Sequence, residues 1–87
     1  MRHYKITAKG RVQGVGYRKF TKYLADERGC VGTVRNVENG DVEIFISLND
    51  LGEFLGELYK GNGKSKTSSF EIEILQNLDF KTFEVLQ

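Results

Sequence analysis

The chain has no proline, a single cysteine, a single histidine and no long apolar run, and each shortage removes a class of protein. Cys30 alone cannot close an internal disulfide, and no CxxC or Cys/His spacing supplies a structural zinc site. A reducing, cytoplasmic setting is the simpler expectation. Residues Met1 to Ala8 lack the apolar segment of a signal peptide, and nowhere does the chain approach the roughly 20 apolar residues of a spanning helix, so no membrane partner is expected. Without proline or a long Ser/Gly tract there is no linker, and the one polar run, Gly61 to Ser68, reads as a loop. A net charge of +1 excludes a large uniform electrostatic footprint for nucleic acid or an anionic membrane. Eighty-seven residues leave room for one domain, residues 1–87. Hydrophobic residues at 39% and charged residues at 29% are ordinary globular usage, which argues against disorder.

What is present is unevenly distributed. Residues 1 to 43 carry nine Lys/Arg against five Asp/Glu, a charge of +4, and residues 44 to 87 carry four against seven, a charge of −3. An anion would prefer the first half. Tyr4, Ile6 and Ala8 alternate with Lys5, Thr7 and Lys9, which predicts a strand with one buried face. Beyond the glycines at 10, 14 and 16 the period turns helical, with Tyr17, Phe20 and Leu24 on one face and Gly29 as the stop. Alternation through Val31, Thr33 and Val37, the Asn39-Gly40 dipeptide, and alternation through Val42, Ile44 and Ile46 predict a β-hairpin over 31–47 with a type I′ turn. Asp50 and Glu53 stand at capping-box spacing before Leu51, Phe54, Leu55 and Leu58, the buried stripe of a second helix. Gly52 and Gly56 each weaken that helix by about 1 kcal/mol relative to alanine, so packing must hold it. Phe70, Ile72 and Ile74 alternate with Glu71 and Glu73 as a fourth strand, and Phe80 to Leu86 forms a short fifth.

The order is β-α-β-β-α-β plus a short C-terminal strand. A strand–helix–strand connection needs parallel strands, whereas a hairpin forces its strands to be antiparallel. Both demands are met when the third strand lies between the first and second, in an α+β, ferredoxin-like two-layer sandwich of core order 4-1-3-2 with both helices on one face. The C-terminal ends of the first and second strands then share one sheet edge. The Gly10 to Gly16 loop and Arg35-Asn36 converge there, roughly two strand spacings of about 4.8 Å apart. A glycine-rich loop entering a helix is suited to phosphate, because its amides turn inward and the helix N-terminus adds positive potential. Arg18 in the first turn is opposed by the helix dipole at a cost of about 0.3–1 kcal/mol, which an anion between them would offset. A tight turn with a solvated Arg18 remains open on spacing alone, since the glycines form neither a GxGxxG nor a GxxxxGK[ST] fingerprint.

Gly10-Arg11-Val12-Gln13-Gly14-Val15-Gly16-Tyr17-Arg18 resembles the signature Gly-x-Val-Gln-Gly-Val-x-Phe/Tyr-Arg of the acylphosphatases. Gly32-Thr33-Val34-Arg35-Asn36, followed by Asn39-Gly40-Asp41-Val42-Glu43, is similar to that family's second motif. The resemblance is close over residues 4 to about 47 and departs after the second helix, where the family often has Gly-Pro and this chain has Gly61-Asn62-Gly63. It implies metal-independent hydrolysis of the carboxyl-phosphate bond of a small acyl phosphate, with inorganic phosphate as product and inhibitor, no cofactor and a monomeric enzyme. By position it implies that Arg18 and the amides of Gly14, Val15, Gly16, Tyr17 and Arg18 grip the phosphoryl group while Asn36 orients the attacking water. A carboxylate leaves readily, so no Cys/His or Ser/His/Asp arrangement is required, and positioning with charge stabilisation carries a loose phosphoryl-transfer transition state.

The remaining chemical residues have plainer readings. His3 belongs to the surface, Cys30 to packing, Glu71 and Glu73 to a solvated strand face, and Arg35 to the sheet face opposite Asn36. Lys64 and Lys66 either extend the positive field over a bound anion or simply solvate a loop. The main rivals are a non-catalytic module that binds carbamoyl phosphate or another anion, and an RNA-binding ferredoxin-like sheet. The central strands would expose Lys5, Thr7, Lys9 and Glu43, Phe45, Ser47, and one aromatic flanked by an acid and a serine is poor support for base stacking, so no nucleic-acid partner is expected.

Overall fold

A computed structural model describes every residue from Met1 to Gln87. The alternating and helical periods become β1 (Arg2–Arg11), α1 (Tyr17–Glu27), β2 (Val31–Asn36), β3 (Val42–Leu48), α2 (Leu51–Lys60), β4 (Lys66–Leu75) and β5 (Phe83–Val85). The sheet order is β4-β1-β3-β2-β5. β3 runs antiparallel to both β1 and β2, so β1 and β2 point the same way with β3 between them. This is the expected ferredoxin-like topology, extended by β5, which adds parallel to β2 at one edge.

One face of the sheet and the apolar faces of both helices enclose a cluster of 17 buried apolar residues. Tyr4, Ile6 and Ala8 of β1 lie inward beside Ile44 and Ile46 of β3, Val34 of β2, Leu24 of α1, and Phe54 and Leu58 of α2. Each fully buried aliphatic or phenyl side chain contributes about 1.5–3 kcal/mol, and this burial holds α2 despite its two glycines. The inward face of α1 is Tyr17, Thr21, Leu24 and Ala25, and Phe20 packs against the core only half-buried. Thr21 is tolerated inside because its hydroxyl donates to the Tyr17 carbonyl at 2.9 Å. The helix ends in paired bonds from the Cys30 and Gly29 amides to the Ala25 and Asp26 carbonyls, the Schellman pattern expected of a Gly29 stop.

Several boundaries and details differ from the sequence reading. β1 continues through Gly10 and Arg11, so Gly10 belongs to a strand and not to the loop. Its register against β4 shifts between Lys9 and Gly10, and a Cβ on Gly10 would stand 2.5 Å from the Lys66 carbonyl oxygen. Gly10 is required by close approach of two strands, not by an anion. β4 correspondingly begins at Lys66, inside the run read as loop, because polar side chains are no obstacle to a strand at the sheet edge. On that edge Ile72 and Ile74 are 39% and 75% exposed, since β4 reaches past the cover of the helices. The hairpin closes with a three-residue loop between Val37 and Asp41, not a type I′ turn. Asn39 keeps a negative φ while its side chain accepts from the Asp41 amide at 3.0 Å, leaving Gly40 alone at positive φ. At α2 the Asp50 carboxylate accepts from the Glu53 amide at 3.0 Å, but Glu53 does not complete a capping box. Its carboxylate takes two bonds from the Arg28 Nε, at 2.7 and 2.8 Å, which as charge-assisted contacts outweigh a neutral amide. β5 spans only Phe83–Val85 of the expected 80–86.

Candidate active site

The loop from Val12 to Gly16 is pinned by its apolar members and opened by its glycines. Val12 and Val15 are buried, while Gly14 and Gly16 are exposed in the left-handed region at φ 72° and 76°. Gly16 is the N-cap of α1 and offers no side-chain oxygen, and the first turn holds no acid. No backbone or side-chain acceptor meets the amides of Gly14 through Lys19. Tyr17 fixes the start of the helix through a ring that is 1% exposed, with its hydroxyl 3.4 Å from that of Thr67. Burial raises the Tyr17 pKa, so the phenol stays neutral.

Arg18 follows in the first turn, and its Nη1 donates to the Leu86 carbonyl at 3.0 Å. The segment carrying that carbonyl is itself tied down. The Leu86 amide donates to the Val34 carbonyl at 2.8 Å, the Gly32 amide to Thr82 at 3.0 Å, and Lys22 Nζ to the Phe83 carbonyl at 2.9 Å. Asn36 ends β2 on the face of buried Val34, level with Val42 and, across it, Ala8. Its Oδ1 is buried and has no hydrogen-bond partner. Gln13 joins the two motifs, its Nε2 donating to the Val37 carbonyl at 2.7 Å and the Asp41 carbonyl at 2.8 Å.

A cleft of ≈ 250 Å³ is lined by Val12, Gly14, Gly16, Tyr17, Arg18, Lys19, Asn36 and Val85. That is below the roughly 300–1,000 Å³ of sites for drug-sized ligands and suits a small substrate. Gly14, Gly16, Tyr17, Arg18 and Asn36 are therefore brought together as expected. Val15 is not on the lining, because its side chain packs inward and its carbonyl accepts from Asn62 Nδ2 at 2.8 Å. Lys64 and Lys66 stay off the cleft, whereas Lys19 and Val85 line it without having been singled out. Lys19 could have been found as the neighbour of Arg18 at a helix N-terminus. Val85 and the Leu86 carbonyl carried no local signal, since they meet Arg18 only across the fold.

Elsewhere several cationic groups are already matched. On the open sheet face Lys5 pairs with Glu43 at 3.5 Å, Lys9 with Asp41 at 2.8 Å, and Arg35 with Glu43 at 2.7 Å. The Arg35 hydrogen bond holds the Glu43 carboxyl below its ordinary pKa, and Arg35 lies away from Asn36 as expected. A second cleft, ≈ 220 Å³, contains Arg28 and Cys30, but there Glu53 satisfies the guanidinium at 2.7 Å. Burial pushes the Cys30 thiol up, which keeps it protonated and unreactive. His3 is half-buried, its Nδ1 2.7 Å from the hydroxyl of Ser47, a residue expected to be exposed but covered at the β1–β3 pairing. No three His, Cys, Asp or Glu side chains gather where they could hold a metal ion, and no helix is long and apolar enough to cross a membrane.

Comparison with known proteins gives the family and the fold. A family model described as Acylphosphatase matches residues 4–85. A protein from Oceanobacillus iheyensis named acylphosphatase is 40% identical, with 98% of each chain covered. One of the same name from Bacillus licheniformis is 39% identical, again over 98% of both. The crystal structure of acylphosphatase from Bacillus subtilis superposes with a TM-score of 0.93 at 32% identity, covering 100% of both chains.

Proposed function

Because the chain belongs to the acylphosphatase family and is an enzyme of that class, hydrolysing the carboxyl-phosphate bond of acyl phosphates, we propose which of its residues perform the reaction. The amides of Gly14 to Arg18 and the Arg18 guanidinium bind the phosphoryl group, and Asn36 orients the attacking water. The observation that carries this reading is that Asn36, whose buried Oδ1 has no partner, lines the same cleft as the uncapped start of α1. A buried oxygen without a partner costs about 1–3 kcal/mol, which is offset when a water or substrate group donates to it.

The chemistry follows from these positions. Phosphoryl oxygens accept from the loop amides and from Arg18, whose Nη1 contact with Leu86 leaves other guanidinium N–H groups free to donate. Each charge-assisted bond contributes about 1.5–3 kcal/mol, more than the cost of placing Arg18 against the helix dipole. Water donates one hydrogen to Asn36 Oδ1 and turns a lone pair toward phosphorus. As the water–phosphorus bond forms, the bond to the acyl oxygen breaks and a carboxylate departs. A phosphoryl oxygen takes the second proton of the water, so no side-chain base is needed. In this reading the enzyme works without metal or cofactor on a small acyl phosphate, inorganic phosphate binds as product, and the protein acts as a cytoplasmic monomer.

The test is phosphate release from benzoyl or acetyl phosphate with chelator present. Arg18→Ala is expected to lower kcat/KM by about a thousandfold and Asn36→Ala by about a hundredfold, mainly in kcat, with both proteins folded. Full activity of either variant would remove its residue from the mechanism, and loss of the parent's rate to the chelator would replace this chemistry with metal-assisted hydrolysis.

A further inference from the structure

Asn62 stands where the sequence leaves its family's pattern, at the start of a turn between α2 and β4, and it reaches the phosphate loop. Its Oδ1 accepts from the Lys64 and Ser65 amides at 3.0 and 2.8 Å, and its own amide donates to the Ser65 hydroxyl at 3.3 Å. Two backbone donors on Oδ1 determine which way the carboxamide faces, leaving Nδ2 to donate to the Val15 carbonyl at 2.8 Å. The bond spans 47 residues of sequence.

The carbonyl of Val15 and the amide of Gly16 belong to one planar trans peptide and point in opposite directions. A donor on that carbonyl therefore sets the direction of the Gly16 N–H. With the carbonyl held by Asn62, the amide of Gly16, a residue that lines the cleft, is turned to the side away from Asn62, which does not line it. The lock has a purpose because Val15 stands between two glycines at positive φ. Glycine crosses between positive and negative φ at little cost, so the Val15–Gly16 peptide can turn over and carry its N–H out of the site.

We infer that Asn62 is a positioning residue for phosphate binding, holding the Val15–Gly16 peptide in the orientation that presents the Gly16 amide to the anion. The inference rests on the proposed role of the Gly14 to Arg18 loop. It predicts a particular kinetic signature. If the unlocked loop populates a binding-incompetent form, apparent affinity falls in proportion to the competent fraction, while the bound state is the same as in the parent. Loss of one hydrogen bond of ordinary strength corresponds to a change of roughly fivefold.

The experiment compares the parent, Asn62→Ala and Arg18→Ala for hydrolysis of benzoyl phosphate and for inhibition by inorganic phosphate. Asn62→Ala is expected to raise KM and the phosphate Ki by the same factor, roughly fivefold, with kcat unchanged. A role confined to stabilising the turn would lower the melting temperature and leave both constants alone, and that result would overturn the inference. Should Asn62→Ala fail to fold, Asn62→Asp keeps an acceptor for the Lys64 and Ser65 amides and removes only the donor to Val15. At high ionic strength, where the added charge is screened, it must show the same paired rise, and unchanged constants would again overturn the inference. Arg18→Ala separates the two levels. Unaltered phosphate affinity in that variant would strike the loop reading itself, whereas a loss there beside an unaffected Asn62 variant would strike only the positioning role.

Discussion

The two helices begin in opposite ways. α2 starts on Asp50, whose carboxylate takes the Glu53 amide, and Glu53 adds a second acid to its first turn. α1 starts on Gly16, with no side-chain cap, no acid, and Arg18 and Lys19 in the first turn. The same backbone dipole is met from within the protein at α2 and left without an internal partner at α1. The difference is also visible in the guanidinium groups nearby. Arg28, on the α2 side, is taken up by Glu53, while Arg18 meets only a neutral carbonyl. Under the proposed function, the start of α2 serves stability and the start of α1 serves binding.

Three measurements test this contrast. The largest effect is expected from the ligand that α1 lacks internally. Inorganic phosphate at a hundred times its Kd should stabilise the parent by about 2.7 kcal/mol, a rise in melting temperature of roughly 10 to 20 °C for a domain of this size. Arg18→Ala should lose most of that shift at the same phosphate concentration. An equal rise in both proteins would mean that phosphate acts elsewhere. Next, Asp50→Ala removes the cap of α2 and should cost about 1 kcal/mol, or about 4 to 8 °C, while kcat/KM for acetyl phosphate stays at the parent value. A fall in kcat/KM without a fall in melting temperature would erase the division of labour.

The smallest effect concerns pH. The hydrogen bond from Arg28 holds the Glu53 carboxyl below its ordinary pKa. A carboxyl whose pKa is depressed in the fold adds stability above the unfolded-state value and loses it as pH falls through the folded one. Thermal melts of the parent should therefore weaken below about pH 4.5, and Glu53→Gln should flatten part of that slope. Because both partners are substantially exposed, the contribution is modest, and parallel pH profiles for the two proteins would remove Glu53 from the acid response.

Much of the site was legible in local sequence. Glycines at 14 and 16 before an apolar helical period announced an open helix N-terminus, and the strand period put Asn36 and Arg35 on opposite faces. Gly10 misled because its neighbours resemble a loop, whereas the reason for a glycine there lies in β4, more than fifty residues away. Ile72 and Ile74 alternated as a buried strand would, but alternation reports a face and not whether anything covers it. Asn62 carried no signal beyond a departure from the family pattern.

The order of strands and helices, the antiparallel hairpin and the open helix start are consequences of periodicity, turn residues and the absence of a cap, all short-range properties that a single chain writes in order. The placement of β5 against β2, the Leu86 carbonyl on Arg18, the Gln13 bridge and the Asn62 lock were decided only by the tertiary fold. The three side-chain contacts each join residues far apart in sequence through one or two hydrogen bonds. Such bonds leave no periodic trace, because their partners are chosen by proximity after the core has formed and not by any preference of the local backbone.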